Sequence, residues 1–180
     1  MIEVEKKFQP TKKELEKLLE KAEFLGEKIN HDVYYDYPDY RLIKNRIRLR
    51  IRNNLFELKI GKDSGISEEI DDEEKIKDFF KTELSIKEFI KKNLILFIEY
   101  KTKRNKYKKG QFVIDIDKCD FGYEVVEIEK LIETEDKIKE TEDQINMFAV
   151  ENGLSFKTID SKRNAYLKKM KPDVYLKIFK

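Results

Sequence analysis

Carboxylates fall two residues apart at three places in the chain: Glu3/Glu5, Asp115/Asp117 and Glu127/Glu129. Each pair lies in an alternating run, Ile2-Glu3-Val4-Glu5, Ile114-Asp115-Ile116-Asp117 and Val126-Glu127-Ile128-Glu129. Period two is the strand period, so both acids of a pair share one face, about 7 Å apart. Their mutual repulsion stabilises nothing. A cation relieves it, either Arg or Lys of the protein or a hard divalent metal. Mg²⁺ and Mn²⁺ prefer oxygen ligands and often join one or two carboxylates to substrate phosphates.

A second set has the opposite charge. The chain has 32 Lys but only 7 Arg, and four of the seven are Arg46, Arg48, Arg50 and Arg52. That spacing predicts one face of one strand. A merely wetted face in so Lys-rich a chain would carry Lys, whereas Arg offers a rigid fork that grips phosphate bidentately. Solvation is the plainer reading of any single charged strand face. Across the strands, acidic and basic faces could together make a chamber for a polyphosphate and its metal. If the sheet curls into a barrel, the charged set lines the interior and the apolar set faces outward under the helices.

Composition narrows the classes. Of 180 residues, 42% are charged, yet 39 Lys+Arg against 37 Asp+Glu leave a net charge of only +2. A uniformly basic nucleic-acid tail and an acidic solvating tail are both excluded. With 12% aromatic residues, 39% hydrophobic residues and few Gly (6) or Pro (3), disorder and low complexity are excluded too. The longest apolar run, Leu94 to Ile98, is far too short to span a membrane. The opening Met1-Ile2-Glu3-Val4-Glu5 has no basic or apolar leader character, and the lone Cys119 has no internal disulfide partner. A cytoplasmic location is expected. Cys119 reads as an inert, partly buried thiol. His31 is the only histidine, which argues against a His-based zinc site or catalytic triad.

Several elements would have to position these residues. Thr11-Lys12-Lys13-Glu14 has the spacing of a capping box, and Leu15, Leu18, Leu19, Ala22, Leu25 and Ile29 recur at helical intervals after it. A second helix is expected from Thr134 to Glu151, stopped by Asn152-Gly153, and a third near Ser161 to Lys171 before Pro172, with a short one following. Strands are expected over Arg46–Arg52 and Phe56–Ile60 around an Asn53-Asn54 turn, and near Asp32–Tyr37 and Leu94–Arg104. The stretch Asp71–Lys92 reads as a helical insertion. The whole reads as one α+β domain, residues 1–180, with an antiparallel sheet.

These residues resemble a known family. Glu3-Val4-Glu5-Lys6-Lys7 resembles the Glu-x-Glu-x-Lys opening of the CYTH superfamily, the triphosphate tunnel metalloenzymes. Val33-Tyr34-Tyr35-Asp36, Arg48-Leu49-Arg50, Phe56-Glu57-Leu58-Lys59 and Thr102-Lys103-Arg104 are similar to its later blocks, in order. Asp115 to Tyr123 followed by Glu127-Ile128-Glu129, and the segment from Lys162 to Tyr175, look like its thiamine triphosphatase branch. The resemblance covers essentially the whole chain. It implies an eight-stranded antiparallel barrel or tunnel, closed or nearly closed, with flanking helices. It implies that Lys7, Arg48, Arg50, Lys59, Arg104 and Lys162 grip phosphate oxygens. Glu3, Glu5, Asp115, Asp117, Glu127 and Glu129 would hold one or two divalent ions, Mg²⁺ or Mn²⁺. Asp115 or Glu5 would orient the attacking water, with Lys59 beside the reacting phosphate.

The implied activity is metal-dependent hydrolysis of a terminal phosphoanhydride, in thiamine triphosphate or inorganic tripolyphosphate. The partner would be a small triphosphate, with no membrane or nucleic acid. Adenylate cyclase chemistry of the class IV kind, a non-catalytic polyphosphate- or nucleotide-binding module, and RNA 5′-triphosphate hydrolysis are the alternatives. In the branch, an aromatic residue, typically Trp, stacks on the thiamine ring just before the Arg-x-Arg strand. This chain has no Trp, and the matching position is Arg46.

Overall fold

The computed structural model describes residues 2–61 and 67–180. Its strands are β1 (Ile2–Phe8), β2 (Glu23–Asp36), β3 (Ile47–Arg52), β4 (Leu55–Gly61), β5 (Ser67–Ile70), β6 (Ile95–Lys109), β7 (Phe112–Cys119) and β8 (Tyr123–Ile132). Its helices are α1 (Lys12–Leu19), α2 (Arg41–Lys44), α3 (Glu73–Phe80), α4 (Ile86–Asn93), α5 (Ile138–Glu151), α6 (Lys162–Met170) and α7 (Pro172–Phe179). Hydrogen bonds order the strands β1-β8-β7-β6-β2-β3-β4-β5 in one sheet. The α+β class with eight antiparallel strands is as the sequence predicts. The chain forms two compact units, Met1–Ile29 with Thr102–Lys162, and Asn30–Lys101 with Arg163–Lys180.

In the first unit, one face of the sheet is apolar. Val4, Phe8, Phe112, Ile114, Ile116, Val126, Ile128 and Ile132 form it. Leu18 of α1 and Ile145, Phe148 and Ala149 of α5 complete this core. The predicted capping box starts α1, with Thr11 and Glu14 each bonding the other's backbone. The expected second helix is α5, entered through a 3₁₀ turn, Glu135–Lys137.

The second unit repeats this arrangement. Leu49, Leu58 and their partly buried neighbours Tyr35, Ile47, Ile51, Phe56, Ile60 and Ile70 meet Ile76 of α3 and Ile86, Phe89 and Ile90 of α4. The β3–β4 hairpin turns at Asn53 and Asn54, with φ of 48° and 71°. Asn tolerates this left-handed region, where most side chains clash.

The structure corrects three sequence expectations. Ala22, Leu25 and Ile29 do not extend α1: the helix ends at Leu19, Lys21 takes φ 60°, and Leu25 and Ile29 lie exposed on β2. Their spacing mimics a helix, but it comes from apolar side chains on a wetted strand. Arg46 is not on the Arg strand. It precedes β3 at φ 60°, and its carbonyl accepts from the Gly61 N–H. A Cβ on Gly61 would stand 3.1 Å from the Arg46 Cβ, so glycine permits this close approach. The sequence reading also passed over β5, a short strand with only Ile70 as an apolar signal.

Candidate functional site

The strand registers show how the charged residues of the first unit come together. Lys106 pairs with Asp115 and Arg104 with Asp117 between β6 and β7. Asp115 pairs with Glu127 between β7 and β8. Glu127 pairs with Lys7, and Glu129 with Glu5, between β8 and β1. Alternation then puts all of them on one face, opposite the apolar core. Lys162, the first residue of α6, reaches the same face. Glu3 continues this face opposite Leu131 and is exposed.

This is no wetted face. Asp115 and Asp117 are 0% exposed and Glu127 is 4% exposed. Each has cations at contact distance. Arg104 bonds Asp117 through Nε and Nη2, both at 2.7 Å, and its Nη2 also reaches Glu127 at 2.7 Å. The Nη1 of Arg104 pairs with Asp115. Lys162 donates to Asp117 and, at 3.2 and 3.3 Å, to both oxygens of Glu127. Lys7 bridges Glu5 and Glu127, the latter at 3.4 Å. Lys106, which the sequence reading left outside the site, lies 2.9 Å from Glu129 and 3.3 Å from Asp115. Its position two residues past Arg104, on the same face, was a signal for it.

These neighbours separate the carboxyls. Burial disfavours the ionised form of Glu127, but Lys162, Lys7 and Arg104 outweigh it and hold the group at about 2. Burial dominates at Asp115 and pushes it up to about 6. Arg104 divides its charge among three carboxylates, and Glu129 and Asp117 add repulsion, so the cations do not offset the burial. Arg104 is raised: its three acidic neighbours outweigh its own burial.

Only the donor chemistry of this face speaks for a divalent ion. The donors are carboxylate oxygens, the preference of hard cations. Both Asp115 oxygens are sealed from solvent and accept no hydrogen bond, although Arg104 and Lys106 are in ionic contact. Among the described residues, no three acidic, His or Cys side chains already converge as a ready cage. Protein cations occupy the carboxylates and would have to give way.

The second unit gathers the Arg strand. Arg48 pairs with Lys59 and Arg50 with Glu57 across β3–β4, and Lys59 with Glu69 across β4–β5. On the β2 side, Arg50 pairs with Tyr34 and Arg52 with Asp32. Arg52 forks onto Asp32 at 2.7 and 3.0 Å. Arg50 donates to Glu57 at 2.7 Å and to the Tyr34 hydroxyl at 3.2 Å. Lys59 pairs with Glu69. Sequence reasoning gave no site role to Asp32, Tyr34, Glu57 or Glu69, although Tyr34 and Glu57 stand in blocks that resemble the family and Asp32 and Tyr34 alternate in phase with the Arg residues. Arg48 differs from its neighbours. Burial and the nearby charges of Arg163 and Arg50 lower its pKa.

Cys119 is buried beside Thr102, with its sulfur 3.6 Å from the hydroxyl, and burial pushes the thiol up to about 11. A thiolate nucleophile is not available there.

Comparison with known proteins gives one family match and several likenesses of fold. The CYTH domain model matches residues 1–166. No curated protein matches the chain. Among solved structures, the PH1819 protein of Pyrococcus horikoshii OT3 aligns with TM-score 0.69 at 23% identity, covering 93% of this chain and 99% of that one. An adenylate cyclase candidate from Vibrio parahaemolyticus aligns with TM-score 0.63 at 17% identity, covering 91% and 96%. HpAC1 from Hippeastrum, described as an adenylyl cyclase candidate with a dominant triphosphatase activity, aligns with TM-score 0.59 at 17% identity, covering 93% and 94%. At these identities the likeness is one of fold. No helix among the described residues is long and apolar enough to cross a membrane.

Proposed function

The chain belongs to the CYTH domain family, and we propose that it is a divalent-metal-dependent triphosphatase that cleaves the terminal phosphoanhydride of a small triphosphate. The observation that carries this reading is the buried face on which Asp115, Asp117, Glu127 and Glu129 interleave with Lys7, Arg104, Lys106 and Lys162. Burying so many charges is costly and gives little net stability beyond an apolar face of equal volume. A site that must bind a polyanion together with a cation gives such a face its use.

In this proposal Glu3, Glu5, Asp115, Asp117, Glu127 and Glu129 hold the metal, Mg²⁺ or Mn²⁺. When bound, the ion would neutralise phosphate charge and orient the anhydride. Lys7, Arg48, Arg50, Lys59, Arg104 and Lys162 take phosphate oxygens and stabilise the charge that gathers on the leaving group. Water adds to the terminal phosphorus, the P–O bond to the next phosphate breaks, and orthophosphate and the shortened chain leave. Asp115 or Glu5 accepts the water's proton. A carboxyl near 6 suits that work at neutral pH.

The proposed substrate is inorganic tripolyphosphate before thiamine triphosphate. Arg46, exposed, stands where the branch has its stacking ring. The rings near Arg50 are no substitute, because Tyr34 and Tyr100 are 6% and 2% exposed and lie against one another with centroids 6.1 Å apart.

The test is phosphate release from tripolyphosphate, thiamine triphosphate and ATP, each with Mg²⁺, Mn²⁺ or chelator. Glu5→Gln and Glu127→Gln should each lower metal-dependent release about tenfold or more. Unchanged rates in both variants, or release that survives chelation, would end the metal-site assignment. Cyclic AMP from ATP would select a cyclase instead.

A further inference from the structure

Lys106 stands apart from the other cations of the buried face. Its side chain is 39% exposed, against 13% for Lys162, 18% for Arg104 and 22% for Lys7. It enters from the rim, whereas the carboxylates it meets are buried, Asp115 at 0% and Glu129 at 9% exposure. Strand register sets its place, directly opposite Asp115 between β6 and β7.

The cations are shared unevenly among the acids. Glu127 meets Arg104, Lys162 and Lys7, and Asp117 meets Arg104 and Lys162. Among the described residues, Glu129 has Lys106 as its one cation, at 2.9 Å. Asp115 has Lys106 at 3.3 Å beside Arg104, and neither of its buried oxygens accepts a hydrogen bond. One ammonium thus spreads a single charge over two buried carboxylates and leaves Asp115 poorly satisfied. Both are acids that the reading above gives to the metal. A divalent ion brings twice the charge and takes oxygen ligands. A Lys head on a flexible four-carbon stem at the rim can turn out to water.

We propose that Lys106 is the resident counter-ion of the Asp115–Glu129 pair and sets how tightly these carboxylates take a divalent ion. Its ammonium holds the pair in the metal-free chain and must leave before an ion can bind them. Lys106 is then a positioning residue that acts through the metal ligands. This deepens the triphosphatase reading and rests on it for those ligands, but ion binding can be measured apart from turnover.

Mn²⁺ alone is the probe. Its dissociation constant is read from the spin resonance of the free ion, and thermal melting is read in chelator and in Mn²⁺. Lys106→Met should melt below wild type in chelator, because two buried carboxylates lose their cation, and should bind Mn²⁺ at least about tenfold more tightly. Its melting temperature should also rise further on adding Mn²⁺ than that of wild type. Lys106→Arg keeps the charge and should bind Mn²⁺ as wild type does. Lys103→Met removes a charge from the adjacent lysine, which pairs instead with Glu27 at 2.8 Å, and should also match wild type. If Lys106→Met does not fold, Lys106→Gln takes its place with the same expectation. Wild-type Mn²⁺ affinity in that variant overturns the proposal, and so does an equal gain in Lys103→Met. Mn²⁺ binding in none of the proteins overturns it as well. Tighter Mn²⁺ binding in Lys106→Met, with no phosphate release by wild type under any metal, would sink the hydrolase reading and leave this one standing. Metal-dependent release by wild type, with Mn²⁺ affinity unchanged in Lys106→Met, would sink this one alone.

Discussion

Asp115 is fully buried, its oxygens meet Arg104 and Lys106, and burial still moves its carboxyl from the ordinary 3.8 up to about 6. A carboxyl raised in this way holds its proton more tightly in the folded chain than in the unfolded one. Its contribution to stability is therefore complete below the unfolded value and is lost as pH rises through about 6. A rise of that size is worth about 3 kcal/mol. Glu127 has the opposite sign: it stabilises above its ordinary 4.5, and that gain is lost as pH falls toward about 2. In chelator, urea denaturation of Asp115→Asn should lack the loss of stability that wild type shows between about pH 4 and 6. An identical pH slope in the variant would place that titration elsewhere. The acids and Arg residues were legible as types, because alternation displays a strand face directly. Lys106, Asp32, Tyr34 and Glu57 were not. A single Lys or Glu in this chain carries little information until the strand register shows what lies opposite.

At the level of elements, α2 shows how one carboxylate can hold a turn. Asp36, 1% exposed, accepts from the backbone N–H groups of Tyr37, Leu42 and Ile43 at 2.7, 2.9 and 2.9 Å. Leu42 and Ile43 are the second and third residues of a helix only four residues long, whose N-cap Tyr40 supplies no side-chain bond. Asp36→Ala strands buried donors and should cost about 3 kcal/mol in chemical denaturation, while Asp36→Asn should recover part of it. Thr11→Ala removes the capping box of α1 and should cost about 1 kcal/mol, read the same way. That helix start was readable because a cap is local chemistry. Its end was not, because Lys21 takes a left-handed conformation that sequence assigns by default to Gly or Asn. Arg46 shows the same limit: alternation put it on a strand, and its backbone turns before the strand begins.

At the level of the molecule, each unit has its own core. Ile145 is fully buried in one and Ile76 in the other. Both β2 and β6 have residues in each unit. Ile145→Ala and Ile76→Ala should each cost about 3 kcal/mol. Because two strands run on from one unit into the other, each variant should still unfold in one transition, followed by circular dichroism and tyrosine fluorescence together. Two separated transitions would show that the cores melt independently. The fold class was readable at this level because the apolar and charged sets alternate along β1, β3, β4, β7 and β8.

Cys119 offers an experimental convenience. It is the chain's only cysteine, 7% exposed, with its thiol pushed up to about 11. A maleimide or disulfide reagent should find it silent in the native protein and reactive once the surrounding strands part. Its labelling rate is then a stopwatch for opening of the first unit. A single cysteine added on the surface, at Lys157 for example, would take a fluorophore or spin label at one chosen place with the native thiol left where it is.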